Sequence, residues 1–275
     1  MNDLPKIPMY HVGHLIAEGG TAKVYWGVDL RTGYPVAIKE LKTRHFRNPE
    51  VRQRFISETQ LYLYMPHPNL TRLVDFVDLQ EQESLYIIME YIDGRTLEQY
   101  IYNDIGLIPE QRALPMFLEI LDTVAFLHQK NILHLDIKSN NIMIQPDGKI
   151  KLIDLGIASK VGAFTTGFGT PAYMPPEQFE KRECGRYTDV FALGVMLFEM
   201  LTGTVPFTGQ EPKEIQNKIK NEPTPLMNNF YPRINDELQA IVDKALAKEP
   251  YMRFQTCESF AGRLRDYMHR HNLNG

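Results

Sequence analysis

The stretch His134-Leu-Asp-Ile-Lys-Ser-Asn-Asn141 packs an imidazole, a carboxylate, an ammonium and two terminal amides into eight residues between two apolar runs. Polar groups beside a core are costly unless each finds a partner. Asp136 and Asn141 have four residues between them, and Lys138 stands two beyond the acid. Phosphoryl transfer uses such a set: a carboxylate to orient and accept the proton of an incoming hydroxyl, a cation near the moving phosphate, and an amide oxygen for Mg²⁺. Taken alone, the stretch also reads as a satisfied loop ahead of a strand.

Its neighbours sharpen the reading. Asp154, in Leu-Ile-Asp-Leu-Gly156, closes the strand-like run Lys149–Asp154 and precedes a flexible glycine, so it is placed to ligate Mg²⁺. Upstream, Val36-Ala-Ile-Lys39 puts a lysine on an apolar strand, which is costly without a counter-charge. Glu58, on the helix that starts after Asn48, is the best partner, although either residue read alone is equally a solvated surface group. Before them lies Ile16-Ala-Glu-Gly-Gly-Thr-Ala-Lys-Val24. Gly19 and Gly20 let backbone N–H groups approach phosphate oxygens with no Cβ in the way. No GxxxxGK[ST] occurs, which excludes a Walker-type phosphate loop.

The organisation is two-part. Tyr10–Ala17, Lys23–Leu30 and Tyr34–Leu41 are β-rich runs separated by Gly-rich turns, and they predict an antiparallel meander. Asn48-Pro49-Glu50 opens a helix that stops at Met65 before Pro66. Leu70–Leu79 and Ser84–Ile92 read as a hairpin. From Thr96 the pattern turns helical. A segment starts at Pro109-Glu110 and runs to Gln129, where Pro115 should kink the first turns or move the start. A short hairpin follows around Pro146-Asp-Gly148, then Thr188–Leu201, almost wholly apolar and so central to a large domain, with Gly203 as its C-cap. Helices near 211–221, 235–247 and 257–270 complete the chain. The boundary falls near Tyr91–Gly94, and a cleft at such a junction is where a ligand is expected.

Composition bounds the function. The chain has 275 residues, 43% hydrophobic and 23% charged, with net charge −4. No long basic block occurs, which argues against nucleic acid as a partner. Cys184 and Cys257 are far apart with no metal-ligand spacing, which argues against a disulfide framework or zinc site and suits a reducing cytoplasm. The N-terminal residues lack an apolar core of signal-peptide length, and no later run is long enough to span a membrane, so this stretch is expected to carry neither leader nor anchor. A longer parent chain could still carry one.

Taken in order, Ile16–Val24, Val36–Lys39, Glu58, His134–Asn141, Asp154-Leu-Gly156, Gly169-Thr-Pro-Ala-Tyr-Met-Pro-Pro-Glu177 and Asp189–Gly194 resemble the protein-kinase signature set from about Tyr10 to Tyr267. The chain is most similar to bacterial serine/threonine kinases of eukaryotic type. The resemblance implies an α+β, bilobal fold. Residues 1–91 would form a small antiparallel β-sheet lobe with one main helix, and residues 92–275 a larger, mostly helical lobe. It implies ATP and Mg²⁺ as cofactors and proteins bearing Ser or Thr as substrates. Asp136 would be the catalytic base or orienter, Lys138 would contact the γ-phosphate, and Lys39 would bind the α- and β-phosphates while pairing with Glu58. Asn141 and Asp154 would hold the metal. Ile16, Val24, Ala37 and Met143 would sandwich adenine, with Met89 as gatekeeper and the backbone of Glu90 and Ile92 supplying hydrogen bonds; each of these apolar residues is equally a core-packing residue. Glu177 would pair with Arg253, and Asp189 would cap the catalytic loop. Lys138 and Thr170 are similar to serine/threonine rather than tyrosine kinases. Family members commonly pair through the small lobe, and no residue of this sequence establishes such a homodimer.

Two other readings compete. A pseudokinase would keep the fold as a nucleotide-binding or scaffolding module, but Lys39, Glu58, Asp136, Asn141 and Asp154 are all present. A small-molecule kinase of related fold is disfavoured by Lys138 and the Gly169–Glu177 segment. Three departures stand out: Ala17 and Ala22 replace outer glycines of the loop, Leu155 replaces the usual Phe, and Leu135 stands where many kinases carry an Arg that clamps a phosphorylated activation loop. Phosphate at Thr165 or Thr166, where modification typically orders the loop, would lack that clamp. The Thr165→Ala/Thr166→Ala double variant should therefore keep most of its phosphoryl-transfer rate; a large loss would refute the weak dependence.

Overall fold

The alternating pattern of the first ninety residues is realised as β1 (Tyr10–Glu18), β2 (Ala22–Asp29) and β3 (Pro35–Leu41), followed by the single turn α1 (Thr43–Phe46) and by α2 (Pro49–Tyr64). The computed structural model describes residues 4–164, 169–231 and 233–273. Asn48 caps α2 by accepting from Glu50 N and Val51 N, with Pro49 at the first helical position and Met65 as C-cap. Then β4 (Leu73–Leu79) and β5 (Ser84–Glu90) form the hairpin. The five strands make one antiparallel sheet in the order β1-β2-β3-β5-β4. One face buries Tyr10, Val12, Tyr25, Val36, Ile38, Tyr86 and Ile88.

The chain divides into two compact units, Met1–Gly94 with Ile153–Gly156, and Arg95–Leu152 with Ile157–Gly275. The division thus falls a few residues after the expected 91/92 boundary, and the short segment around Asp154 belongs with the sheet. Two interactions draw it there. Tyr62 donates to Ile153 O at 2.9 Å, and Lys39 donates to Asp154 Oδ1 at 3.0 Å.

The second unit begins with β6 (Arg95–Thr96) and α3 (Leu97–Gln99), which is closed by a reciprocal Thr96/Gln99 capping box and continues into a π-helical segment over Tyr100–Ile105. The 20-residue α4 (Glu110–Gln129) starts where the sequence signal placed it, with Pro109 as its N-cap, and runs unbroken through Pro115. Proline removes one N–H near the helix start, where little ladder precedes it. Next come β7 (Ile132–Leu133), β8 (Ile142–Ile144), β9 (Ile150–Leu152) and β10 (Ser159–Lys160), with β6-β8-β9 and β7-β10 as two small sheets. After α5 (Pro176–Phe179), every residue of α6 (Arg186–Thr202) from Thr188 onward is buried, and Gly203 ends it at φ 76°. The remaining helices are α7 (Pro212–Asn221), α8 (Asp236–Ala245) and α9 (Cys257–Arg270). Among the described residues no helix is long and apolar enough to cross a membrane.

Gly194 marks a close approach of α6 to the end of α8. A Cβ there would lie 2.8 Å from Ala245 Cβ and 3.2 Å from Leu246 Cδ2. Gly194→Ala gains about 1 kcal/mol of helix propensity but overpacks a filled contact at ~1–3 kcal/mol, so overpacking should win and thermal unfolding should show a lower Tm. A raised Tm would mean that α8 gives way freely.

Candidate active site

Register in the first unit gathers several expected residues on one sheet face. In an antiparallel pair, directly opposed residues share a face, as do residues two apart on one strand. Lys39 opposes Val24 on β2, and Ala37, two residues earlier, opposes Met89 on β5. Val24, Ala37, Lys39 and Met89 therefore form one patch. Ile16 is half exposed on β1, and Ile92 is buried just beyond β5. The Glu90 amide donates to Arg72 O at 3.0 Å.

Within that patch Lys39 Nζ lies 2.7 and 2.8 Å from the two Glu58 oxygens. Glu58 is only 3% exposed. Burial works against the Lys39 ammonium, but the charges of Asp154 and Glu58 outweigh it and raise its pKa. Burial also raises the Glu58 carboxyl, against the pull of Lys39. Asp154 Oδ1 accepts the Gly156 amide at 3.0 Å. A Cβ on Gly156 would press to 3.0 Å on Asp154 Oδ1 and 3.3 Å on Glu58 Oε2. The glycine thus provides room beside the charged trio as well as flexibility.

The Gly-rich turn is closed by Gly19 N donating to Ala22 O at 2.9 Å. Nothing lies within 4 Å of where a Cβ on Gly20 would be, and Gly20 lacks a positive φ. Neither neighbouring atoms nor backbone strain demands glycine there. Arg44 was not singled out from the sequence, yet its Nη2 donates to Gly20 O at 2.8 Å.

In the second unit the stretch that opened the sequence reading forms a closed triangle. Asp136 Oδ1 accepts from Thr170 N at 3.0 Å and Thr170 Oγ1 at 2.9 Å, while Oδ2 accepts from Lys138 Nζ at 2.8 Å. Lys138 Nζ also donates to Thr170 Oγ1 at 2.9 Å. Asp136 therefore already holds a hydroxyl on Oδ1, and the ammonium held on Oδ2 also donates to that hydroxyl's oxygen. Asn141 is buried, and its amide nitrogen donates to Asp136 O at 2.9 Å. That hydrogen bond leaves the side-chain oxygen as the donor atom suited to a cation. Met143 sits on β8, opposite Thr96 and Lys151.

A second tier supports the triangle. Asp189 accepts the amides of His134 and Leu135, each at 2.8 Å. Leu135 takes φ 66°, and its carbonyl accepts from Gln178 Nε2 at 2.7 Å. In place of a phosphate clamp its side chain packs with Leu133, Cys184 and Ile157. Glu177 and Arg253 pair at 2.7 and 2.9 Å with both side chains buried. Glu199 was missed in the sequence, although an acid ten residues beyond Asp189 in the otherwise apolar α6 run is a legible signal. It accepts from Tyr102 at 2.9 Å, Ser139 at 3.0 Å and Tyr173. Thr165 and Thr166 lie outside the described residues.

Among the described residues no group of three or more His, Cys, Asp or Glu could hold a metal ion. Asn141 in the second unit and Asp154 in the first each carry an oxygen of the kind that Mg²⁺ takes as a ligand.

The chain belongs to the protein kinase domain family, whose pattern it matches over residues 10–263. It is 34% identical over 271 residues to serine/threonine-protein kinase PrkC of Bacillus subtilis, covering 96% of this chain and 41% of that protein. It is 33% identical over 256 residues to serine/threonine-protein kinase PknB of Mycobacterium leprae, covering 90% and 41%. The chain spans about two fifths of the length of these curated relatives.

Glu199 carries a pH prediction. Burial raises its carboxyl, only partly offset by hydrogen bonds from Tyr173, Tyr102 and Ser139. With a raised folded pKa, its stabilising contribution is full below the unfolded value of about 4.3 and is lost as pH rises through the folded value. Glu199→Gln cannot titrate, so the Tm advantage of the parent over this variant should shrink as pH rises from 4 through neutrality. A pH-independent gap would show that the carboxyl is not raised.

Proposed function

We propose that this chain is the catalytic domain of an ATP- and Mg²⁺-dependent serine/threonine protein kinase, which transfers the γ-phosphate of ATP to Ser or Thr hydroxyls of proteins. The observation that carries the reading is the Asp136–Lys138–Thr170 triangle. A hydroxyl donates to Asp136 at 2.9 Å while an ammonium lies 2.9 Å from the same hydroxyl oxygen. A substrate hydroxyl taking that position would be oriented by Asp136 and would hand its proton to the carboxylate as attack proceeds. Lys138, now paired with Asp136, would neutralise charge on the transferred phosphoryl group.

On the nucleotide side, Lys39, fixed by Glu58, would bind the α- and β-phosphates, and the backbone at Gly19 and Gly20 would approach the phosphates closely. Ile16, Val24, Ala37 and Met143 would enclose adenine, Met89 would bound the pocket, and the backbone of Glu90 and Ile92 would supply hydrogen bonds to it. Asn141 and Asp154 would be the protein ligands of Mg²⁺, which when bound neutralises charge on the phosphate oxygens. The serine/threonine choice follows the names of the relatives and the Lys138–Thr170 contact. Two buried cysteines outside any disulfide, Cys184 and Cys257, suit a reducing compartment, and we place the domain in the cytoplasm.

The test is intact mass before and after incubation with ATP and Mg²⁺, with Asp136→Asn alongside. Phosphate additions, or transfer to dephosphorylated casein, are expected from the parent, with a loss of at least about a hundredfold in the variant. No transfer from the parent to itself or to casein would overturn the reading and leave a nucleotide-binding module.

A further inference from the structure

Three residues of the connection between β3 and α2 grip the Gly-rich turn of the first unit from one side. Lys42 N donates to Thr21 O at 2.9 Å, and Lys42 Nζ pairs with Glu18 at 2.6 Å. Arg44 Nη2 donates to Gly20 O at 2.8 Å. Arg44 Nε lies 3.1 Å from His45 Nε2, which itself lies 3.3 Å from Gly20 O. The carbonyls of two successive residues at the tip of the turn are thus drawn to the same connection. That connection is anchored in its turn: His45 N donates to Lys42 O at 2.8 Å, and Asn48 N donates to His45 O at 3.0 Å. Asn48 is the N-cap of α2, the helix that carries Glu58.

Peptide geometry converts that grip into a direction. The peptides of the turn are trans, and in a planar trans peptide the C=O and the N–H point opposite ways. Holding Gly20 O on Arg44 therefore turns the Thr21 N–H to the side of the turn away from α1. Among the described residues the Gly20 and Thr21 amides donate to no protein group. Successive backbone N–H groups left open at a tight turn are donors suited to an anion.

The two carbonyls are held by different means. Thr21 O is bonded by the main chain of Lys42, next to the paired residues Ala22 and Leu41, so the sheet itself secures it. Gly20 O depends on a side chain. Glycine offers the least resistance to reversal of the Gly20–Thr21 peptide, since nothing lies within 4 Å of where its Cβ would be and its conformational range is wide. The Arg44 guanidinium is therefore the contact that decides which way this peptide faces.

We infer that Arg44 is a positioning residue for nucleotide binding: its guanidinium holds the Gly20 carbonyl toward α1 and so keeps the Thr21 N–H turned out for a phosphate of ATP. The inference rests on the kinase reading. Arg44 acts through the turn and not by placing its own charge on the phosphates. Ordering the turn before ATP arrives removes part of the cost of ordering it on binding.

The experiment compares Arg44→Met, which keeps an extended side chain and loses the donor, with Arg44→Lys, which keeps a cationic donor. Arg44 is exposed, so neither change empties the core. Calorimetry measures the binding of ATP with Mg²⁺ and of adenosine, which has the same base and ribose and no phosphate, and NMR relaxation measures the order of the Thr21 N–H. The methionine variant should bind ATP roughly fivefold more weakly, about 1 kcal/mol, with adenosine within about twofold of the parent and a lower Thr21 order parameter. The lysine variant should recover most of the loss. ATP affinity equal to the parent's, an equal loss for ATP and adenosine, or a lysine variant no better than methionine would overturn the positioning role. So would a deficit that disappears at about 1 M salt, where a Debye length of ~3 Å removes attraction by an exposed charge and leaves a held peptide in place. A parent that binds neither ATP nor adenosine brings down the kinase reading and this role with it, whereas a parent that binds ATP no better than the methionine variant removes Arg44 alone.

Discussion

The carboxylate of Asp189 is the constraint on which the second unit is built. It is held at the start of a helix buried on all sides, and it accepts two successive backbone amides and one imidazole. A charge this deep is tolerable only because each of those donors faces it. The His134–Asn141 stretch therefore hangs from the core at a fixed point. Leu135 can hold a left-handed conformation at that point because Asp189 and Gln178 grip it from both sides. Strained backbone that is supported from the core is a recurrent feature of functional sites.

Buried ion pairs divide the remaining work. Glu177 and Arg253 are almost wholly enclosed, and the guanidinium also donates to the carbonyls of Tyr187, Ala247 and Lys248. Such a pair adds little net stability over an apolar equivalent, whereas removing one partner strands a charge at a cost of about 3–5 kcal/mol. Its consequence is specificity of arrangement: α5 and the loop before α9 dock in one register. Lys39 and Glu58 do the same for the sheet and α2 of the first unit. There the third member, Asp154, is more exposed and remains accessible to a ligand.

Leu135 shows how a departure from a family pattern is absorbed. Its side chain joins Leu133 and Cys184, with Ile157 packed against them. The backbone around this cluster is cross-linked as well: β7 pairs with β10, Gly162 N donates to Cys184 O at 2.9 Å, and Cys184 N donates to Ala163 O at 3.1 Å. The segment after Asp154 is thus fastened by apolar contact and main-chain hydrogen bonds.

Much of this was legible in the sequence because it is local. The Asn48-Pro49 start of α2, the Pro-Asp-Gly hairpin, the all-apolar α6 with its glycine cap, and the order of the chemistry-bearing motifs follow from capping, turn stereochemistry and hydrophobic periodicity. These act over a few residues, and the family resemblance rests on the same short stretches. Tertiary structure alone decided the rest. The unbroken passage of α4 through Pro115, the π-helical segment at Tyr100–Ile105, the grouping of Ile153–Gly156 with the sheet, and the meeting of His128 with Cys257, 129 positions away, depend on packing between distant elements. A hydrogen bond or ion pair at that separation leaves no periodic trace along the chain. It exists only once burial has removed water as the competing partner.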